Sequence, residues 1–264
     1  MVNLAAMKRT TSIHFLLIAL IFLLFSSEGK SQISEPGDMY VGLQVSPNFT
    51  YRVLSNSTDD PAVDDLIRSL NNSEESAFGY RIGATMGIKF ARFWDIEGGI
   101  SYSRHCTEFN DYLLFGDQTD PRRGLISTNE TYETADLKTC YEYLGIPLRL
   151  IWNFGTENIK VLASFGITPQ ILMKDEQILR FYRDGDQIDK QEFENIEDVN
   201  GFNLSPQLGI GAQFRLKGRF FLRTEGIARF GVININEDSP INSYLYSSEI
   251  NVGLYYRLNP KEES

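Results

Sequence analysis

The chain has 264 residues, of which 42% are hydrophobic and 23% charged, with a formal net charge of -10 and two cysteines. An acidic chain without a basic block excludes a nucleic-acid partner, whose phosphates require clustered Lys and Arg, and two cysteines exclude a disulfide framework or a four-cysteine zinc site. A mean hydropathy of -0.23 excludes a polytopic helical membrane protein, which needs repeated apolar runs of about 20 residues.

Residues 1–31 are laid out as a secretory signal peptide. Lys8 and Arg9 precede an apolar run from Phe15 to Phe25, and the small and polar stretch Ser26 to Ser31 follows. Gly29 and Ser31 stand at the positions a signal peptidase reads, which places cleavage between Ser31 and Gln32. The alternative, an uncleaved anchor, needs about 20 apolar residues, more than this run supplies. Removal of this segment takes away His14, leaving His105 as the one histidine of the mature chain. Residues 32–37 are then a short N-terminal segment.

From Val41 onward the chain alternates apolar and polar side chains with period two, the signature of strands with one apolar face. The apolar columns run, in order, from Val41 to Tyr51, Phe78 to Phe90, Trp94 to Tyr102, Leu144 to Trp152, Ile159 to Ile167, Phe202 to Phe214, Phe220 to Val232 and Tyr246 to Leu258. That makes eight strands, an even number. Pro47, Pro147, Pro169 and Pro206 lie inside them, where bulges are the expected accommodation.

Connections alternate between long (54–76, 110–135, 174–200) and short (91–93, 153–157, 216–219), with an intermediate one at 234–243. Acids concentrate in the long ones: with Glu237 and Asp238 added, these segments carry about -15 in total. Tight turns at one end and long loops at the other are the plan of a transmembrane β-barrel.

The period alone leaves open whether the apolar face points inward, as in a soluble barrel, or outward into lipid. Two features favour lipid. Phe90, Trp94, Trp152, Phe154, Phe214 and Phe220 gather at the short-turn ends as an aromatic girdle. The polar face is rich in glycine and carries both signs of charge: Arg81, Lys89, Asp95, Glu97, Arg149, Arg223, Glu225, Arg229, Glu249 and Arg257. These suit a salt-bridged lumen. The expected fold is therefore all-β, an eight-stranded antiparallel transmembrane β-barrel over residues 38–258, of OmpA/OmpX-like size, with long extracellular loops and a tail at 259–264. Its partners are outer-membrane lipid and lipopolysaccharide, and the barrel-assembly machinery during insertion.

Antiparallel partners keep a constant index sum. Pairing Trp94 with Trp152 at the inner rim therefore pairs Cys106 with Cys140 above the outer rim, and a disulfide is expected there.

Several segments resemble the PorT-like outer-membrane β-barrel domain family of Gram-negative bacteria. They are the signal ending near Gln32, the opening Val41-Gly42-Leu43-Gln44-Val45 strand, the Tyr143-Leu144-Gly145-Ile146-Pro147-Leu148 strand, and the final Val252-Gly253-Leu254-Tyr255-Tyr256-Arg257 strand. The resemblance covers about residues 38–258. It implies a small outer-membrane barrel, from a family whose namesake is tied to protein secretion and most of whose members have no assigned activity. The sequence departs in having Gly145 where the family usually has a glutamate, and in continuing from Asn259 to Ser264 beyond the last strand.

In the first long connection Asp60 can cap a helix that starts at Pro61, with Val63, Leu66, Ile67 and Leu70 on one face. Arg183-Asp184-Gly185-Asp186 is a hairpin signal that extends the fifth and sixth strands above the membrane. Asp184, Asp186 and Asp189 fail the EF-hand spacing at Ile188. No cofactor or metal site is expected. The expected function is non-enzymatic: a plugged barrel whose acidic loops meet a partner or serve envelope structure. The alternatives are an accessory barrel of a secretion or assembly complex and, remotely, an acyltransferase or protease using His105, with Ser103 and Asp111 nearby in sequence.

Overall fold

The computed structural model describes residues 36–58, 60–113, 134–156, 158–183, 186–194, 199–236 and 239–258. The signal peptide with its cleavage point, the C-terminal tail, most of the second long connection and the Asp184-Gly185 turn lie outside the described residues. In chain order the elements are β1 (Met39–Asn56), α1 (Pro61–Ser73), β2 (Glu74–Ala91), β3 (Trp94–Leu113), β4 (Thr134–Gly145), β5 (Leu148–Gly155), β6 (Ile159–Arg183), β7 (Asp186–Glu194), β8 (Phe202–Arg215), β9 (Phe220–Phe230) and β10 (Ile241–Arg257).

All pairings are antiparallel, and the sheet closes when β1 pairs with both β2 and β10. β4 and β5 are one barrel strand interrupted at Ile146-Pro147; both pair with β3 on one side and β6 on the other. β7 pairs with β6 outside the ring. The ring therefore has eight strands, as the periodicity requires. Closure removes the exposed edges that an open sheet would offer for aggregation.

Of the four prolines expected at bulges, only Pro147 marks a break. Pro47, Pro169 and Pro206 keep an unshifted register, opposite Tyr80, Leu204 and Ile167. Each loses one donor, but the carbonyls stay in use: Pro169 accepts from the Ile146 amide at 3.0 Å and Pro147 from the Gly99 amide at 3.2 Å. The register shifts fall elsewhere, one of them between Glu142 and Tyr143, where β6 carries the extra residue Met173. That residue reverses the parity of β6 above it.

Two long connections are largely structured, with the helix after Asp60 and the strand extension past Arg183 that their residues predict. β6 and β7 form a hairpin that holds most of the acids of 174–200, and α1 occupies most of 54–76. The Asp60 carboxylate caps α1 by accepting from the Ala62 amide at 2.9 Å, and the helix buries Ile67 while Leu66 stays exposed.

Outside the barrel Leu43, Ile82, Ile100, Ile210 and Ile250 are exposed, whereas the polar column of the same strands is buried. This inverts a water-soluble protein, in which such residues would form the core. Some glycines on the inward column are fixed by aromatic rings. A methyl at Gly42 would overlap the Tyr255 ring, and one at Gly87 the Tyr40 ring.

Candidate functional site in the barrel lumen

Strand alternation sends every second side chain into the lumen, and an eight-stranded barrel is just wide enough for side chains to fill it. Those side chains stand in layers from the short-turn end upward. At the inner mouth, Lys89, Asp95, Lys160, Gln213 and Arg257 line a small pocket with Asp38. Above it lies an aromatic floor: Phe221 stacks on Tyr255 with centroids 4.9 Å apart, and Tyr40 meets both edge-on at 5.5 and 5.7 Å. The Arg223 guanidinium lies 4.6 Å from the Tyr255 ring centre and 5.3 Å from that of Tyr40, within cation–π range.

The centre holds two ion clusters. In the lower one Glu97 accepts from Arg149 Nη2 at 2.6 Å and from Arg223 Nη1 at 2.7 Å, and Arg149 Nη1 donates to Glu225 at 2.9 Å. Ser164 and Asn251 also donate to Glu225, at 3.0 and 3.3 Å. In the upper one Glu249 Oε1 accepts from Arg81 and from Arg229, both at 2.9 Å. Arg229 continues to Thr168 at 3.0 Å and to Gln207. Burying charges is costly unless each finds an opposite partner and further hydrogen bonds; the alternation of Arg and Glu supplies the opposite partners, while Arg81 Nε and Nη1, Arg223 Nε and Glu249 Oε2 have no hydrogen-bond partner among the described residues.

Seven of the ten lumen charges expected from sequence thus meet in the two clusters, and Lys89, Asp95 and Arg257 stand apart at the inner mouth. The girdle residues occupy the short-turn ends: Trp152 stacks on Phe154 at 6.2 Å and Phe220 meets Tyr256 at 5.1 Å. Alternation alone points to Tyr40 and Tyr255 as inward; the stacking of their rings around Phe221 and Arg223 is visible only in three dimensions.

At the outer end Tyr141, Tyr143, Ile235 and Leu245 form a buried apolar cluster across the mouth. Ile235 comes from the 234–243 connection, held by Ile235 N to Ser243 O at 2.9 Å and Asn200 N to Ile235 O at 2.8 Å. His105 lies beneath, buried, with Nδ1 3.1 Å from Thr50 Oγ1 and its ring beside Tyr143. The Ser103 hydroxyl instead accepts from Gln170 at 3.3 Å.

Cys106 and Cys140 are bridged in the expected register, with Trp94 opposite Trp152. From just below this level outward a ladder of ion pairs climbs β3, β4, β6 and β7. Arg104 meets Glu142 and Glu176, Lys174 meets Glu194 at 2.7 Å, and Arg180 meets Glu108 at 3.2 Å. The Glu194 carboxylate, and then Glu176, hold the Lys174 ammonium above its ordinary range. Among the described residues no His, Cys, Asp and Glu side chains cluster as a metal site would need.

A closed ring with apolar exterior, aromatic lower rim and ion-paired interior is a membrane-spanning β-barrel. The chain belongs to the outer membrane protein beta-barrel domain family, whose model matches residues 30–237. It is a protein of the bacterial outer membrane, with its short turns facing the periplasm.

No curated protein matches the chain. Similar solved structures include Neisserial surface protein A, at 13% identity over 83% of this chain and 97% of that one, with a TM-score of 0.40. The outer membrane protein OprG from Pseudomonas aeruginosa is 12% identical over 88% and 100%, with a TM-score of 0.38. The outer membrane protease OmpT from Escherichia coli is 8% identical over 87% and 99%, with a TM-score of 0.41.

Proposed function

We propose that this barrel is a non-enzymatic outer-membrane protein whose lumen is plugged, and whose acidic extracellular surface serves interaction or envelope structure. The observation that carries the reading is the chain of ion pairs across the lumen, Arg149 and Arg223 on Glu97 and Arg81 and Arg229 on Glu249, between an aromatic floor and an apolar lid. Ions crossing such a barrel would have to break these pairs. Single-channel recording in planar bilayers is expected to show no steady conductance; an open level comparable to that of a general porin refutes the plug.

His105 supports the same reading. A catalytic imidazole needs access to substrate and a group to orient it. Here the ring is buried under Tyr143 and engaged with Thr50, and Ser103 is engaged with Gln170.

The PorT-like assignment, and with it the role of accessory barrel in a secretion or assembly complex, rests on the Tyr143–Leu148 and Val252–Arg257 segments. Delivery by a signal peptide cleaved between Ser31 and Gln32, insertion by barrel-assembly machinery, and lipopolysaccharide at the outer rim complete the proposal. Affinity purification from detergent-solubilised outer membranes distinguishes the two roles: a stoichiometric secretion component identifies the accessory barrel.

A further inference from the structure

Toward the periplasmic end the lipid-facing wall is not evenly covered. Its outward side chains lie there in two rows that cross the strands. The lower row runs Phe220, Tyr256, Val41, Met86 and Gly98, each opposite the next, from β9 through β10, β1 and β2 to β3. The upper row runs Leu254, Leu43, Ala84 and Ile100. Between them lies a groove of about 670 Å³ with Gly42 and Gly99 in its floor and no charged residue in its lining. Rows two residues apart along a strand are roughly 6–7 Å apart, and five strands at about 4.8 Å spacing give a length of roughly 19 Å. Those are the proportions of a single extended chain.

The groove climbs from the periplasmic rim toward the middle of the bilayer. Phe220 opens β9 and Tyr256 stands next to the last residue of β10, whereas Met86 and Gly98 lie well inside β2 and β3. At a strand tilt of about 40° the rise is on the order of 12 Å, most of one leaflet's half of a hydrocarbon core about 30 Å thick. At the lower end Lys217 and Arg219 are exposed on the β8–β9 turn that leads into Phe220, and neither makes an ion pair among the described residues. An uncharged slot admits only an apolar chain, and two cations at its foot select a negative headgroup.

We propose that this groove holds one acyl chain of an anionic phospholipid of the periplasmic leaflet, with the headgroup at Lys217 and Arg219. The lipid lies outside the ring, so its binding does not depend on the plugged lumen.

The test is native mass spectrometry of the mature barrel released from nanodiscs with equal amounts of phosphatidylglycerol and phosphatidylcholine. The wild type is expected to keep one phosphatidylglycerol at collision energies that strip all other lipid. Gly98→Leu should abolish this adduct by filling the upper end of the groove; its Cβ would meet only Leu148 at 3.4 Å and the Pro147 carbonyl at 3.8 Å, so the wall itself tolerates it. Lys217→Gln/Arg219→Gln should lower the preference for phosphatidylglycerol about tenfold or more. Val161→Leu, on the outer face of β6 across the ring from β1, should change neither. Should Gly98→Leu fail to fold, Ala84→Met in the middle of the groove takes its place with the same criterion. The proposal is overturned if the wild type keeps no lipid or keeps both lipids equally, if the groove or charge variants behave as wild type, or if Val161→Leu loses the adduct as readily. A two-barrel mass in place of the lipid adduct also overturns it, by assigning the groove to a second copy of the chain.

Discussion

Glu97 is the most informative residue to perturb, because two arginines depend on it. Its side chain is 1% exposed and takes Arg149 on Oε1 and Arg223 on Oε2. In Glu97→Gln the shape survives but the charge does not. Arg149 retains Glu225 at 2.9 Å, whereas Arg223 keeps only the neutral oxygens of Gln213 at 3.2 Å and Tyr40 at 3.5 Å, with the ring faces beside it. Removing one partner of a buried pair costs about 3–5 kcal/mol; since one arginine remains paired and the amide still accepts, a loss of about 3 kcal/mol is expected. A hydrated, screened pair would cost about 0–1 kcal/mol. The assay is urea unfolding of the protein folded into phosphatidylcholine vesicles, followed by the fluorescence of Trp94 and Trp152, the two tryptophans of the chain. In an Arg223→Met background the same substitution should cost at least about 1 kcal/mol less, because the charge left unpaired is gone. A loss below about 1 kcal/mol in the wild-type background would falsify the view of the lumen as a dry, ion-paired plug.

Three further outcomes follow from the same geometry. Cys140→Ser should lower stability by about 4 kcal/mol in the chain-entropy picture, since the bridge spans 34 residues; equal urea midpoints for oxidised and reduced protein would argue against this. Ile210→Arg, at a side chain 69% exposed near the middle of β8, should cost about 2–4 kcal/mol in vesicles, and a neutral result in the same unfolding assay would place that face in water. Gly87→Ala should cost about 1–3 kcal/mol by overlap with the Tyr40 ring, and the cost should shrink when Tyr40→Ala removes that ring.

Much of the barrel can be read from its residues because alternation is a local property. A strand has period two wherever it lies, so its side chains sort into two faces without knowledge of their neighbours, and the aromatic girdle and charged polar face then say which one meets lipid. The pairing of Cys106 with Cys140 follows for a similar reason: between Trp94–Trp152 and the cysteines the two strands keep one register past the break at Pro147. Glu176 shows where this reasoning stops. The extra residue Met173 reverses the face of β6, so Glu176 joins Arg104 outside the barrel, which counting through an unbroken strand would not allow. The acidic 174–200 segment was legible as charge and as a hairpin signal, but its ion pairs depend on β6 standing between β7 on one side and β4 and β3 on the other.

Period, parity and spacing along the chain suffice for an even-numbered barrel, for the residues that enter its lumen and for the disulfide register, and the aromatic girdle with the charged polar face suffices for the side that meets lipid. Glu97 and Arg149 face each other in the same register as the tryptophans and cysteines, but only ring closure sets which charges meet across the lumen. Arg223 of β9 reaches Glu97 of β3 at a separation of 126, and Arg149 reaches Glu225 of β9 at a separation of 76. Such pairs form when closure of the ring brings opposite walls within side-chain reach, and ring closure is set by strand number and tilt rather than by any local pattern. The same closure gathers Lys89, Lys160 and Arg257, from three different strands, around one mouth.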